Sequence, residues 1–162
     1  MSTITARLKL ITVDWVQTLM VLLTVAGLGI SLYLMWGYTT PGATLACGSS
    51  HGCETVKNSV YASLVGIPLP VLGLGSYLGL LLLMLVQNQP SVATRGWSVH
   101  IALAIFGFSL AGVLYSAYLT YIELFVLYAI CRWCVASAII MVAIFLLSII
   151  NLRNQNQSYI EG

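Results

Sequence analysis

Charge is what this chain has least of. Only 6% of its 162 residues are Asp, Glu, Lys or Arg, four acidic and six basic, where a soluble domain carries about 25%. So few charged side chains cannot coat a water-facing surface of this size, which argues against a soluble enzyme, a disordered chain and a nucleic-acid binder. The net charge of +2 is too small to select a polyanionic partner. Internal repeats, low-complexity tracts and any sign of a second domain are also missing. What is there is 60% hydrophobic, and the length allows one compact unit, residues 1–162, whose solvent is lipid.

A membrane-spanning helix takes about 20 mostly apolar residues. Four stretches qualify: Trp15 to about Trp36, Pro68 to Val86, Val99 to Tyr121, and Phe125 to Asn151, the last interrupted only by Arg132. The expected fold is an all-α membrane protein, a four-helix transmembrane bundle with a long first loop over residues 37–67 and two short loops. The first apolar run exceeds the roughly 7–15 residues of a signal-peptide core, so it reads as a retained helix. Lys and Arg in short loops mark the cytoplasmic side. Arg7, Lys9, Arg95 and Arg153 all fall on one side of a four-span chain, and the other keeps Lys57, with Glu54 and with Glu123 in the short third loop. The expected location is the inner (cytoplasmic) membrane, multi-pass, with both termini inside. Trp15, Trp36, Tyr38, Trp97, Tyr121 and Tyr128 stand near span ends, as an interfacial aromatic belt requires.

The four cysteines sort into two pairs that this topology puts on the extracytoplasmic face. Cys47 and Cys53 lie in the first loop, separated by a glycine- and serine-containing segment that can close into a small ring, in a compartment that permits disulfides. Cys131 and Cys134 form Cys131-Arg132-Trp133-Cys134 in the first third of the fourth span. Residues at i and i+3 share a helical face, so these sulfurs can cross-link. A helix N-terminal end lowers a nearby thiol's pKa, and Arg132 could add to this or simply snorkel. Two dithiols at one face suggest a thiol–disulfide relay: the loop pair meets a soluble partner, and the embedded pair needs a lipid-soluble two-electron acceptor, for which a quinone is the obvious choice. Cysteines buried as small hydrophobes are the bland alternative. Four thiolates, with His51 nearby, are also the makings of a metal-binding or metal-transporting membrane protein. Structural zinc sites, however, space their ligands as two C-x2–4-C pairs, and the loop spacing here is wider, so no metal is expected.

Cys47-Gly48-Ser49-Ser50-His51-Gly52-Cys53, then Asn58-Ser59, Tyr61-Ala62, Gly66-Ile67-Pro68 and the late Cys131-Arg132-Trp133-Cys134 together resemble the vitamin K epoxide reductase family, its prokaryotic members above all, over about residues 10–150. The resemblance implies a four-helix bundle around a quinone pocket, capped on the outer side by the first loop and a short half-helix. It implies that Cys131 takes electrons from the loop pair and that Cys134 lies beside the quinone ring. It places Ser59 near the active cysteines. The acceptor would be of the menaquinone, ubiquinone, phylloquinone or plastoquinone type. Many bacterial relatives continue into a fused thioredoxin-like domain; its absence from this sequence points to a separate periplasmic thioredoxin-fold partner. Animal members carry a tyrosine where this chain has Ala138, which favours quinone reduction over epoxide reduction. Phe106, Tyr115 and Tyr118 on the third span are pocket candidates on aromatic character alone. The unrelated four-helix quinone-linked disulfide oxidases have their CxxC pair first in sequence, the reverse of the order here. Asn58-Ser59 is also a plausible N-cap for the segment that follows.

Overall fold

A computed structural model of the chain describes the backbone of residues 2–40, 52–64, 66–89 and 97–160, with side chains for 15–40, 52–63, 66–89 and 97–157. Cys47, His51 and Arg95, and the side chains of Arg7 and Lys9, lie outside the described residues. The elements are α1 (Ser2–Thr39), α2 (Gly52–Lys57), a 3-10 turn (Val60–Ala62), β1 (Ser63–Leu64), β2 (Ile67–Pro68), α3 (Leu69–Gln87), α4 (Ser98–Phe125) and α5 (Arg132–Ile160). Among the described residues four segments are long and apolar enough to cross a membrane: Trp15–Thr39, Leu69–Gln87, Ser98–Phe125 and Arg132–Gln157. At 1.5 Å per residue the shortest, α3, is about 28 Å long, enough for a hydrocarbon core of about 30 Å.

Of the boundaries that differ from the sequence expectation, two matter to the site. The third span runs on to Phe125, so Glu123 sits in the last turn of a helix and not in a loop. The fourth begins at Arg132 and not at Phe125. Between them the chain leaves α4 with Val126 and Leu127 donating to the Ile122 carbonyl and Ala129 donating to that of Glu123. It then turns through Tyr128, whose φ of 49° is left-handed and disfavoured by about 1–2 kcal/mol in a residue with a Cβ. Val126, Leu127, Ala129 and Ile130 are all apolar, so hydropathy cannot tell this turn from a helix.

The connection from α1 to α3 contains the expected short helical segment, α2, and a hairpin that nothing in the sequence reading anticipates. Its two strands pair Ser63 with Pro68 and Leu64 with Ile67, and Gly66 supplies the left-handed φ of 82° that the turn needs. Pro68 then precedes α3 and Pro70 stands in its first turn, where a missing N–H leaves no bond unmade.

α1 packs on α3 and α5, and α4 packs on α5 and α3. Met20, Tyr77, Leu80, Met84, Ile105, Met141 and Ile144 form the shared core, with each long helix contributing. Lipid supplies no hydrophobic drive between helices, so association rests on close approach and interhelical hydrogen bonds. Both are present: Gly27 lies directly against the Tyr77 ring, Ser109 meets Ser148 (Oγ–Oγ 3.2 Å), and Asn151 Nδ2 donates to Gln87 Oε1 at 3.2 Å. The exterior is the reverse of a soluble protein's. Leu22, Leu114 and Ile139 are each more than 60% exposed, a surface that is stable only in contact with acyl chains.

Candidate active site

Cys131 stands immediately before α5, at the N-cap position. A helix start leaves its first backbone N–H groups without intrahelical partners, and here the Cys131 sulfur takes one of them: the backbone N–H of Cys134 donates to Cys131 Sγ at 3.3 Å. CxxC spacing produces this contact, because it puts the second cysteine at the third helical position, where an N-cap side chain reaches. The pair is therefore at the tip of the helix, inside the first third expected from the sequence. Arg132 is the first helical residue and is exposed. Hydrogen bonds from the Cys134 thiol and from the backbone N–H groups of Cys134 and Trp133 hold the Cys131 thiol below the ordinary thiol pKa, against the opposing pull of burial and of the Glu123 charge. Both thiols are free.

Glu123 closes the other side. It is 4% exposed, and its Oε2 accepts the backbone N–H of Cys131 at 3.1 Å. Its carboxylate also hydrogen-bonds the Cys134 thiol. One carboxylate oxygen and the two sulfurs all lie within 4.8 Å of one another, close enough also to share a soft cation. The α4 exit turn makes this possible by doubling the chain back so that the last turn of α4 faces the first turn of α5.

Cys53, in the first turn of α2, is disulfide-bonded and buried beside Val56 and Cys131, with Tyr33, Leu34, Leu127, Trp133 and Cys134 packed around them. The Tyr33 and Trp133 rings meet at 4.9 Å, tying the end of α1 to the start of α5. Gly52 is what lets α2 come this close, since a Cβ there would collide with the Ile130 carbonyl oxygen. Three cysteines thus converge at one end of the bundle, while Cys47 lies outside the described residues.

Below them is a cavity of about 140 Å³ between the four long helices, lined by Cys53, Cys131 and Cys134 at one end and by residues including Leu34, Leu72, Gly112, Leu119, Ala138 and Met141 along its walls. An apolar cavity of about 150 Å³ accommodates benzene, so this one is matched to a single six-membered ring. Polar side chains also line it, and several of them bond within the fold. Tyr77 donates to the Ser137 carbonyl (3.0 Å) and shares a 2.8 Å bond with its hydroxyl, Ser76 donates to Leu72, and Thr120 donates to Ser116. The Tyr115 hydroxyl is the exception, buried with no partner.

Of the aromatic candidates, then, Tyr115 lines the cavity. Phe106 instead packs on Phe145 at 5.4 Å, and Tyr118 is half exposed on the outer surface. Ser59 occupies the N-cap of the 3-10 turn without capping it; its hydroxyl donates to the Val56 carbonyl at 2.8 Å, and it does not line the cavity. The sequence reading missed two site residues. Tyr38, assigned to the aromatic belt, lines the cavity near the cysteines, and Glu123, assigned to a loop, faces both thiols. A signal for Glu123 existed: it is a lone carboxylate flanked by the apolar runs Tyr121-Ile122 and Leu124-Phe125-Val126, and a charge so placed is functional or paired by default.

The model of one family, described as Vitamin K epoxide reductase family, matches residues 18–149. The match covers most of the chain and takes in every residue of the site.

Proposed function

The chain belongs to the vitamin K epoxide reductase family and is a membrane redox enzyme of that type; from that premise we propose that it oxidises the dithiol of a separate thioredoxin-fold protein and passes the electrons to a membrane quinone, supporting disulfide formation outside the cytoplasm. The observation that carries this reading is the packing of disulfide-bonded Cys53 against the free Cys131–Cys134 dithiol above a ring-sized apolar cavity.

The loop pair, Cys53 with Cys47, exchanges with the partner's dithiol through a mixed disulfide. The resulting loop thiolate attacks the Cys131–Cys134 disulfide at Cys131, which is the sulfur packed against Cys53. Two electrons then rest on Cys131 and Cys134, the state in which this structure holds them, and Cys134 delivers them to the quinone in the cavity. The basic residues on the other side of the spans support an orientation with these cysteines extracytoplasmic.

The test is quinone reduction by the purified protein with a reduced thioredoxin-fold donor. Cys131→Ala and Cys134→Ala abolish it. Cys47→Ala and Cys53→Ala lose transfer from the protein donor but still reduce quinone when dithiothreitol reduces the helix pair directly. Full activity in Cys134→Ala overturns the mechanism. Because a carboxylate and two thiols lie close enough to share a cation, metal content is measured on the same preparation, and stoichiometric metal with no quinone bound favours a metal-binding protein instead.

A further inference from the structure

Among the described residues Glu123 is the one acidic side chain lining the cavity, and no described Lys, Arg or His lines it to neutralise the charge. A carboxylate buried at the membrane end of a helix is expensive and persists where it is used or paired. Its partners here are two: the Cys131 backbone N–H, 3.1 Å from Oε2, and the Cys134 thiol. The first contact is structural, tethering the α4 exit turn to the start of α5, and an amide would serve it equally well. The second places a proton acceptor beside a sulfur of a cavity-lining cysteine, within the same 4.8 Å cluster that holds both redox atoms.

We propose that Glu123 is a catalytic proton carrier, taking the proton of Cys134 as the dithiol is oxidised and handing it to the quinone oxygen nearest the sulfurs. The proposal rests on the quinone-reducing function above. When a dithiol reduces a quinone, two S–H bonds are lost, one S–S bond forms, and the quinone gains two electrons and two O–H bonds. The Cys134 proton passes to the Glu123 carboxylate as its sulfur gives up electrons, then from the carboxylic acid to one quinone oxygen, which regenerates the carboxylate. The Cys131 proton leaves to water, and the other oxygen recovers a proton from water. The proton transfer from sulfur to quinone thus needs no bulk water at their contact.

The experiment is single-turnover hydroquinone formation by protein reduced in advance, comparing wild type with Glu123→Gln and Glu123→Asp. Glutamine keeps an oxygen that accepts from Cys131 but carries no proton. Glu123→Gln is expected to be slower by about a hundredfold or more, the usual contribution of a positioned acid or base, with an unchanged melting temperature, and Glu123→Asp is expected to recover part of the rate. A Glu123→Gln rate within about threefold of wild type, below the range for such a group, overturns the proposal. The wild-type turnover itself is expected to be slower in deuterium oxide, and equal rates in the two solvents overturn the proposal whether or not the variants fold. Cys134→Ala run alongside separates the two ideas: if wild type forms no hydroquinone the quinone reading fails, whereas normal turnover in Glu123→Gln with none in Cys134→Ala removes only the role of Glu123.

Discussion

Tyr115 presents to the cavity a hydroxyl that the fold leaves unbonded. A buried hydroxyl without a partner destabilises the empty protein, so Tyr115→Phe is expected to leave thermal stability unchanged or raised. If the hydroxyl donates to a quinone oxygen, the same change raises the KM for quinone about 2- to 10-fold, the worth of one neutral hydrogen bond, as steady-state kinetics over a quinone series measures. Cys131 makes a prediction about pH. Its thiol ionises below the ordinary range because the Cys134 thiol and the first backbone N–H groups of α5 hydrogen-bond its sulfur. Alkylation of the reduced protein at Cys131 therefore has a midpoint below the pH of about 8.5 typical of a free thiol. Between those two pH values the unfolded chain binds the extra proton, so the stability of the reduced protein rises with pH across that window and is lost as pH falls through the folded-state pKa; Cys131→Ser abolishes both effects. At this scale the sequence singled out Cys53, Cys131 and Cys134, which the fold brings together, because paired thiols in a charge-poor chain have few other uses. Tyr38 was not legible, because a polar group near a span end looks the same in sequence whether it faces water, headgroups or the bundle axis; Glu123 stood out as a carboxylate between apolar runs, but the groups it faces did not.

Among the elements, α2 and the turn between α4 and α5 carry the site. α2 is only six residues long (Gly52–Lys57), too short to be stable alone, and it is held by burial of Cys53 and Val56 against the Cys131 turn. Gly52→Ala puts a methyl group into the Ile130 carbonyl and must push the two apart. Transfer from the loop pair to the helix pair is then expected to slow about tenfold or more, as small misplacements of reacting groups do. Quinone reduction driven by dithiothreitol is expected to persist, and stopped-flow measurement of the two half-reactions checks both. The long helices were legible because lipid demands about 20 apolar residues per crossing. The break at 126–131 was not, because its exposed residues Val126, Tyr128 and Ile130 are as apolar as the helices they join. The residue-level clue, a tyrosine in left-handed conformation, exists only in the folded chain.

For the molecule as a whole, the cavity is the product of four helices meeting and belongs to none of them, which is why no local pattern announced it. Its size depends on small side chains at the walls, Gly73, Gly112 and Ala138 among them. Ala138→Trp fills a large part of about 140 Å³ and is expected to cut quinone reduction at least tenfold while oxidation of the thioredoxin-fold donor by the loop disulfide continues for one turnover; quinone titration and donor thiol counts distinguish the two. The placement of everything at one end has an energetic consequence for the membrane. Thiols, carboxylate and ring cavity share the same end of the bundle, so in the proposed relay electrons and protons would enter and leave on one face and no charge would cross the hydrocarbon. Moving one charge across the membrane would involve about 2.3 kcal/mol per 100 mV, and turnover here involves none of that work. In sealed vesicles the reaction is expected to run at the same rate with or without an ionophore and to generate no potential: it exports oxidising power without drawing on the proton gradient or adding to it.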